Sequence, residues 1–200
     1  MKILPQILVI SRIPIATLIC TLGLLNIENN GYNISFLMII GLLIDIFDGI
    51  LARKIGVSNS KFRVLDSNVD QFFWSVTLFT VVFRNKDYML GNLAPIVFVL
   101  ILEISTYVIS YMKFKKTIAT HSLLAKLWAI SLLIFLIELT ISSSGYYSFW
   151  ACIIIGVISR IEIISIVLSL KKWTTDIPSI FSVNKLNKGI PIKRYKLFNG

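Results

Sequence analysis

Residues 45–70 read Asp45-Ile46-Phe47-Asp48-Gly49-Ile50-Leu51-Ala52-Arg53-Lys54-Ile55-Gly56-Val57-Ser58-Asn59-Ser60-Lys61-Phe62-Arg63-Val64-Leu65-Asp66-Ser67-Asn68-Val69-Asp70, and four of the ten acidic residues of the 200-residue chain fall within them. Asp45 and Asp48 are spaced i, i+3, and Asp66 and Asp70 i, i+4, so on helices each pair shares one face. The polar run between the pairs marks a loop. At 1.5 Å per residue, Asp45 lies ~12 Å before Arg53 and Asp70 ~10 Å beyond Arg63, so an antiparallel hairpin brings both pairs to a similar depth. Gly49 and Ala52 sit on or beside the acidic face, where their lack of bulk lets a flat or large ligand approach the backbone. Arg53 offers a planar positive fork of the kind that grips a diphosphate.

Outward from this stretch the chain is apolar. Hydrophobic residues make up 56% and charged residues 15%, with a mean hydropathy of +0.82, too apolar a surface for one water-soluble core to bury. Six segments reach the ~20 apolar residues a bilayer-spanning helix needs: roughly 6–26, 33–53, 64–83, 92–112, 122–142 and 147–170. The net charge of +10 invites a nucleic-acid reading, but the basic residues form short blocks between apolar runs, so nucleic acid is excluded as a partner. Arg53, Lys54, Lys61 and Arg63 lie between the second and third spans, and Lys113, Lys115 and Lys116 between the fourth and fifth. The positive-inside rule puts these loops and both termini in the cytoplasm. The expectation is an all-α membrane protein: a six-helix bundle, N-in and C-in, with the aspartates at the cytoplasmic ends of helices 2 and 3. Residues 1–170 form the transmembrane domain in this reading, with the first span retained. Residues 171–200 form a basic tail, either lying along anionic headgroups or a solvated appendage. Cys20 and Cys152 lie inside apolar runs and suggest no disulfide or zinc site.

An ionised carboxylate facing lipid costs ~2.5 kcal/mol or more, so four together must face a polar cavity and be neutralised. A hard divalent cation, Mg²⁺ or Mn²⁺, suits clustered carboxylates and keeps positions open for phosphate oxygens. Helix-terminal aspartates merely satisfied by arginines are the plain alternative, against which stand the spacing and the small residues beside it. A cation channel or transporter asks for carboxylates distributed through the membrane, whereas these gather beside one loop.

The run from Asp45 to Asp70 resembles the signature of the CDP-alcohol phosphotransferase family, DxxDGxxARx8GxxxDxxxD. Asp45, Asp48, Gly49, Ala52, Arg53, Asp66 and Asp70 are in register, and Phe62 stands where the signature has glycine. Pro5-Gln6-Ile7-Leu8-Val9-Ile10-Ser11-Arg12 is similar to the family's PNxLTxxR opening, and Ala125-Lys126 sits where many members have Gly-Lys. The resemblance implies attack by an alcohol hydroxyl on the β-phosphorus of a CDP-linked donor, releasing CMP. It implies Asp45, Asp48 and Asp66 as main ligands of one or two Mg²⁺ or Mn²⁺ ions, and Asp70 as proton acceptor that also touches a metal. Gly49, Ala52 and Arg53, with Asn59, would contact the CDP moiety.

For a phosphorylated acceptor the candidate residues are Arg63, Lys113, Lys126 and Arg160; the first three also serve as positive-inside anchors. Arg160, in the sixth span near Glu162, favours a polar pocket. Glu103 and Glu138 lie in spans with no partner legible in the sequence.

CDP-diacylglycerol with a small hydroxylated acceptor is the first expectation for the substrates. The alternatives are a CDP-linked small alcohol with a lipid acceptor, or an inactive member acting as a binding subunit. The resemblance also implies a multi-pass protein of a bacterial cytoplasmic membrane, surrounded by membrane lipids, and homodimers are common in the family.

Overall fold

The computed structural model describes residues 3–25, 30–57, 60–116, 122–174 and 177–190, with the backbone alone at positions 60, 61, 63, 64 and 67. The described residues form helices and turns, with no strand among them. In order these are α1 (Leu4–Leu24), α2 (Asn30–Ile55), α3 (Ser60–Arg84), a short α4 (Lys86–Gly91), α5 (Leu93–Phe114), α6 (Leu123–Ser142), α7 (Tyr146–Ser169), a 3-10 turn (Ile180–Ser182) and α8 (Val183–Asn187).

Among the described residues five helices, α1, α2, α5, α6 and α7, are long and apolar enough to cross a membrane, which makes this a multi-pass membrane protein. The expected third span forms α3, a helix of 25 residues. It falls outside that set because Asp66, Asn68, Asp70 and Gln71 make its first half polar. The expected loop at Arg84 to Asp87 is shorter than the sequence suggested. Asn85 accepts the amide of Met89 at 3.0 Å and turns its side chain back onto the Val81 carbonyl at 3.0 Å, so α4 starts at once.

The chain divides into two compact units, Met1–Leu90 with Leu136–Gly145, and Gly91–Phe135 with Tyr146–Gly200. In the first, α1 packs along both α2 and α3, while α2 and α3 touch each other only locally. The hairpin expected from the sequence is therefore a three-helix arrangement with α1 as the shared partner. Its buried residues, Pro5, Val9, Arg12, Ala16, Ile19 and Gly23, recur at alternating steps of four and three, the spacing of a helix-packing seam. Between apolar helices in lipid, close packing rather than water exclusion supplies the attraction, and small residues permit it. A Cβ on Gly41 would lie 2.1 Å from Cζ of Phe73, and one on Gly31 would lie 2.5 Å from the Thr140 carbonyl oxygen. The orphan carbonyls at the end of α1 find side-chain donors: Asn30 Nδ2 reaches Leu22 O at 3.2 Å, and Arg84 Nη1 reaches Gly23 O at 3.5 Å.

In the second unit α5 packs on α7, and Trp128 of α6 lies against Gly156, whose added Cβ would be 2.6 Å from the indole Nε1. Past α7 the chain folds back. Ile177 and Val183 bury themselves against Ile166 and Leu170, joined by Phe114, Ile180 and Leu186. Asn187 fastens the turn, accepting the Lys171 amide and donating to Ser169 O, each at 2.9 Å. The first part of the basic tail is thus packed structure; Lys193, Arg194 and Lys196 lie outside the described residues.

Candidate active site

The loop between the two aspartate pairs is set by how α2 ends. Gly56, at φ +74°, donates its amide to Arg53 O at 3.2 Å, and Val57 donates to Ala52 O at 3.0 Å. This is a Schellman motif, in which a left-handed residue, cheapest for glycine, satisfies the last carbonyls and turns the chain. Val57 then packs into a cluster of Val9, Ala52, Phe62 and Val69, one contribution or more from each of α1, α2 and α3, with Leu65 beside it. Phe62, at the signature's glycine position, is 4% exposed. Its ring fills the space where the three helices meet, so here it is a packing residue.

Two rows of residues one turn apart leave this point along α2. Asp48 and Ala52 face inward and are 0% and 1% exposed. Ala52, expected beside the nucleotide, directs its methyl into the apolar cluster. Asp45, Gly49 and Arg53 form the outer row. Arg53 folds back along it, close enough that a Cβ on Gly49 would lie 3.4 Å from Nη1.

All four aspartates meet at one side chain to which the sequence assigned no role. Arg12 of α1 is 0% exposed, and its guanidinium forks between the two pairs. Nη1 lies 2.6 Å from Asp45 Oδ1 and 3.2 Å from Asp70 Oδ1. Nη2 binds Asp66 Oδ1 and stands 3.3 Å from Asp48 Oδ2. Each terminal nitrogen therefore joins one carboxylate of α2 to one of α3. The sequence carried a signal: Arg12 falls in register on the apolar seam of α1, where an unpaired charge has no place. Trp74 of α3 donates a side-chain hydrogen bond to Asp70 one turn before it.

The plain alternative, aspartates satisfied by arginine, is thus partly realised, yet one guanidinium against four carboxylates leaves an excess of negative charge. Asp48 is the clearest case, since both its oxygens are buried without a hydrogen-bond partner. Oxygens of Asp45, Asp48 and Asp66 lie within 4.8 Å of one another. An all-oxygen, carboxylate-rich donor set of this kind fits a hard divalent cation. Asp45, Asp66 and Asp70, with side chains 35%, 31% and 41% exposed, open to the outside, while Asp48 closes the floor.

Asn59 lies outside the described residues, as does the side chain of Arg63. The other candidates for an acceptor belong to the second unit. Lys113 donates from Nζ to the carbonyls of Val167 at 3.1 Å and Leu168 at 2.5 Å, capping the end of α7. Lys126 sits in the first turn of α6, its amide bonded to Ser122 O at 3.2 Å. Arg160 is 6% exposed and its partner is Glu103 of α5 rather than Glu162. It lies over the face of Trp128 with Cζ 4.2 Å from the ring centroid. Glu162 instead accepts the amide of Ile180 at 3.3 Å, tying the folded-back tail to α7.

A family model described as CDP-alcohol phosphatidyltransferase matches residues 2–168. No curated protein and no solved structure matches the chain.

Proposed function

The chain belongs to the CDP-alcohol phosphatidyltransferase family, and we propose that within it this protein moves a phosphatidyl group from CDP-diacylglycerol to a small hydroxylated acceptor, releasing CMP. The family works in phospholipid biosynthesis by phosphoalcohol or phosphatidyl transfer and is generally dependent on a divalent metal. The observation that carries the reading is the convergence of Asp45, Asp48, Asp66 and Asp70 from two helices on one polar centre, with the buried Asp48 carboxylate left without hydrogen bonds.

In this reading Asp45, Asp48 and Asp66 hold Mg²⁺ or Mn²⁺, with Asp70 at the edge of the same site. When bound, the divalent ion supplies positive charge to the diphosphate and makes CMP a better leaving group. Asp70 has the most open side chain of the four and is placed to accept the proton of the attacking hydroxyl. As the acceptor oxygen bonds to the β-phosphorus, the bond from the β-phosphorus to the bridging oxygen breaks, that oxygen leaves with CMP, and the proton passes to Asp70. The Trp74 indole, donating to Asp70, orients that carboxylate. Arg53, lying along the outer row over Gly49, supplies a fork for the diphosphate, with Asn59 a further contact. Ala52 acts one layer below, packing with Phe62 beneath the floor that Asp48 forms. Arg63, Lys126 and Arg160 are the basic groups proposed for a phosphorylated acceptor. Lys113, which caps the end of α7 through two carbonyls, is proposed for that role with them.

We place the protein in a bacterial cytoplasmic membrane, with α3 as a sixth span, both termini inside and the aspartates at the cytoplasmic face. The basic loops support this orientation, and a span with a polar half is acceptable where that half lines a cavity.

The test is product identification. Purified protein in detergent is given CDP-diacylglycerol and, one at a time, glycerol phosphate, inositol phosphate and serine. Formation of one phospholipid in step with CMP establishes donor and acceptor. Product from CDP-choline or CDP-ethanolamine with diacylglycerol, and none from CDP-diacylglycerol, would transfer the assignment to the other donor class.

A further inference from the structure

The centre of the aspartate cluster is held by a cation belonging to the chain itself. Arg12 is fully buried, and its two terminal nitrogens contact all four carboxylates. Three of these contacts are hydrogen bonds, to Asp45, Asp70 and Asp66. The fourth, to Asp48 at 3.3 Å, is an ion pair without hydrogen-bond geometry. The guanidinium Nε is buried with no partner, so the side chain is held almost wholly through its contacts with the cluster. The backbones of α2 and α3 approach each other only locally, and this fork links the two aspartate pairs.

The carboxylates it holds are the ones a small divalent cation would take. The oxygens of Asp45, Asp48 and Asp66 are within 4.8 Å of one another, with the Arg12 Nη2 at Asp66 and 3.3 Å from Asp48. A divalent ion and a guanidinium held by the same carboxylates repel each other in a site of low local dielectric.

We propose that Arg12 is a resident counter-cation that competes with the divalent ion: it keeps the four carboxylates assembled, and it must yield Asp48 and Asp66 when the ion is held. Arg12 is then a positioning residue that sets how tightly the ion binds, and this inference rests on the metal site of the proposed function. Substrate contributes to the exchange, because a diphosphate brings negative charge that a displaced guanidinium can meet. Ion and donor thus bind cooperatively, each making room for the other.

The test uses Mn²⁺ alone as probe, titrated into purified protein in detergent with no donor present. Free Mn²⁺ is followed by its electron paramagnetic resonance signal, and melting temperature is read in parallel. Wild type, Arg12→Gln, Arg12→Lys and Asp48→Ala are compared. The expected result is at least tenfold tighter Mn²⁺ binding by Arg12→Gln than by wild type, a lower melting temperature without ion, and a larger rise on adding it. Arg12→Lys, which keeps the charge, should bind within a few-fold of wild type.

Equal or weaker binding by Arg12→Gln, with binding still lost in Asp48→Ala, overturns the competition and leaves the metal site standing. No Mn²⁺ binding by any variant, or binding indifferent to Asp48, overturns both. Should Arg12→Gln fail to fold, the wild type decides through its arginine side-chain nitrogen resonances, with the Arg12 signal identified by its absence from Arg12→Lys. Mg²⁺ should shift that signal and speed its proton exchange, and a signal unmoved by saturating Mg²⁺ overturns the proposal.

Discussion

Replacing Glu103 by glutamine removes the one carboxylate contact that Arg160, 6% exposed between membrane helices, has among the described residues. Two unit charges 4 Å apart at an effective dielectric of about 20 attract by about 4 kcal/mol. Losing one partner of a buried pair typically costs about 3–5 kcal/mol, because the other charge stays buried and uncompensated. The Trp128 ring, 4.2 Å from Cζ, still attracts the cation by about 1–2 kcal/mol when desolvated. The glutamine oxygen also retains a dipole and can receive the Tyr107 hydroxyl that donates to Glu103. The expected loss for Glu103→Gln is therefore about 3 kcal/mol, a large part of a typical folding stability of about 5–15 kcal/mol. Removing both charges should behave differently: Glu103→Leu with Arg160→Met should lie near wild type, since an apolar pair of similar size is often neutral or better. Reversible unfolding in mixed micelles, driven by rising detergent denaturant, measures each variant. If Glu103→Gln stays within about 0.5 kcal/mol of wild type, the threshold for an ordinary surface change, and the double mutant shows no coupling, the pair does not hold α5 to α7.

Asp70→Asn should retain CDP-lipid binding and lose turnover; turnover near wild type shows that another group takes the proton. Phe62→Ala should destabilise the fold by about 3 kcal/mol, the low end for emptying a buried phenylalanine site, because the ring packs Val9, Ala52 and Val69 together. A melting temperature unchanged by that substitution contradicts its packing role. Gly41→Val places a Cβ 2.1 Å from Phe73 Cζ, on a ring 1% exposed, so the variant should lose folded yield in detergent, whereas overpacking that a core can absorb costs about 1–3 kcal/mol.

Much of the site is legible in the amino-acid sequence, because its chemistry is written in local spacing. The i, i+3 and i, i+4 aspartate pairs need only helices and a turn to converge, and the family match over residues 2–168 agrees with the motif from Asp45 to Asp70. What the sequence withholds is non-local. That α1 rather than a bare hairpin unites the pairs follows from its packing along both α2 and α3, a choice of partner that no local spacing states. Arg12 and Asp66 are more than fifty residues apart, and nothing near either names the other. Glu103 and Arg160 are each visible as charges in a span, but their pairing is set by the register of α5 on α7. Ala52 and Gly49 read alike as small residues, although the helical turn sends one inward and the other outward. The polar first half of α3 likewise keeps that helix out of the set recognised by length and apolarity.

The most direct test of the aspartate centre is CMP release from CDP-diacylglycerol by purified wild type and Asp48→Ala, across a panel of acceptors, with Mg²⁺ or Mn²⁺ and then with chelator. The account predicts release that requires an acceptor, stops on chelation, returns with the ion and is absent in Asp48→Ala. Release that survives chelation or the loss of Asp48 would contradict it.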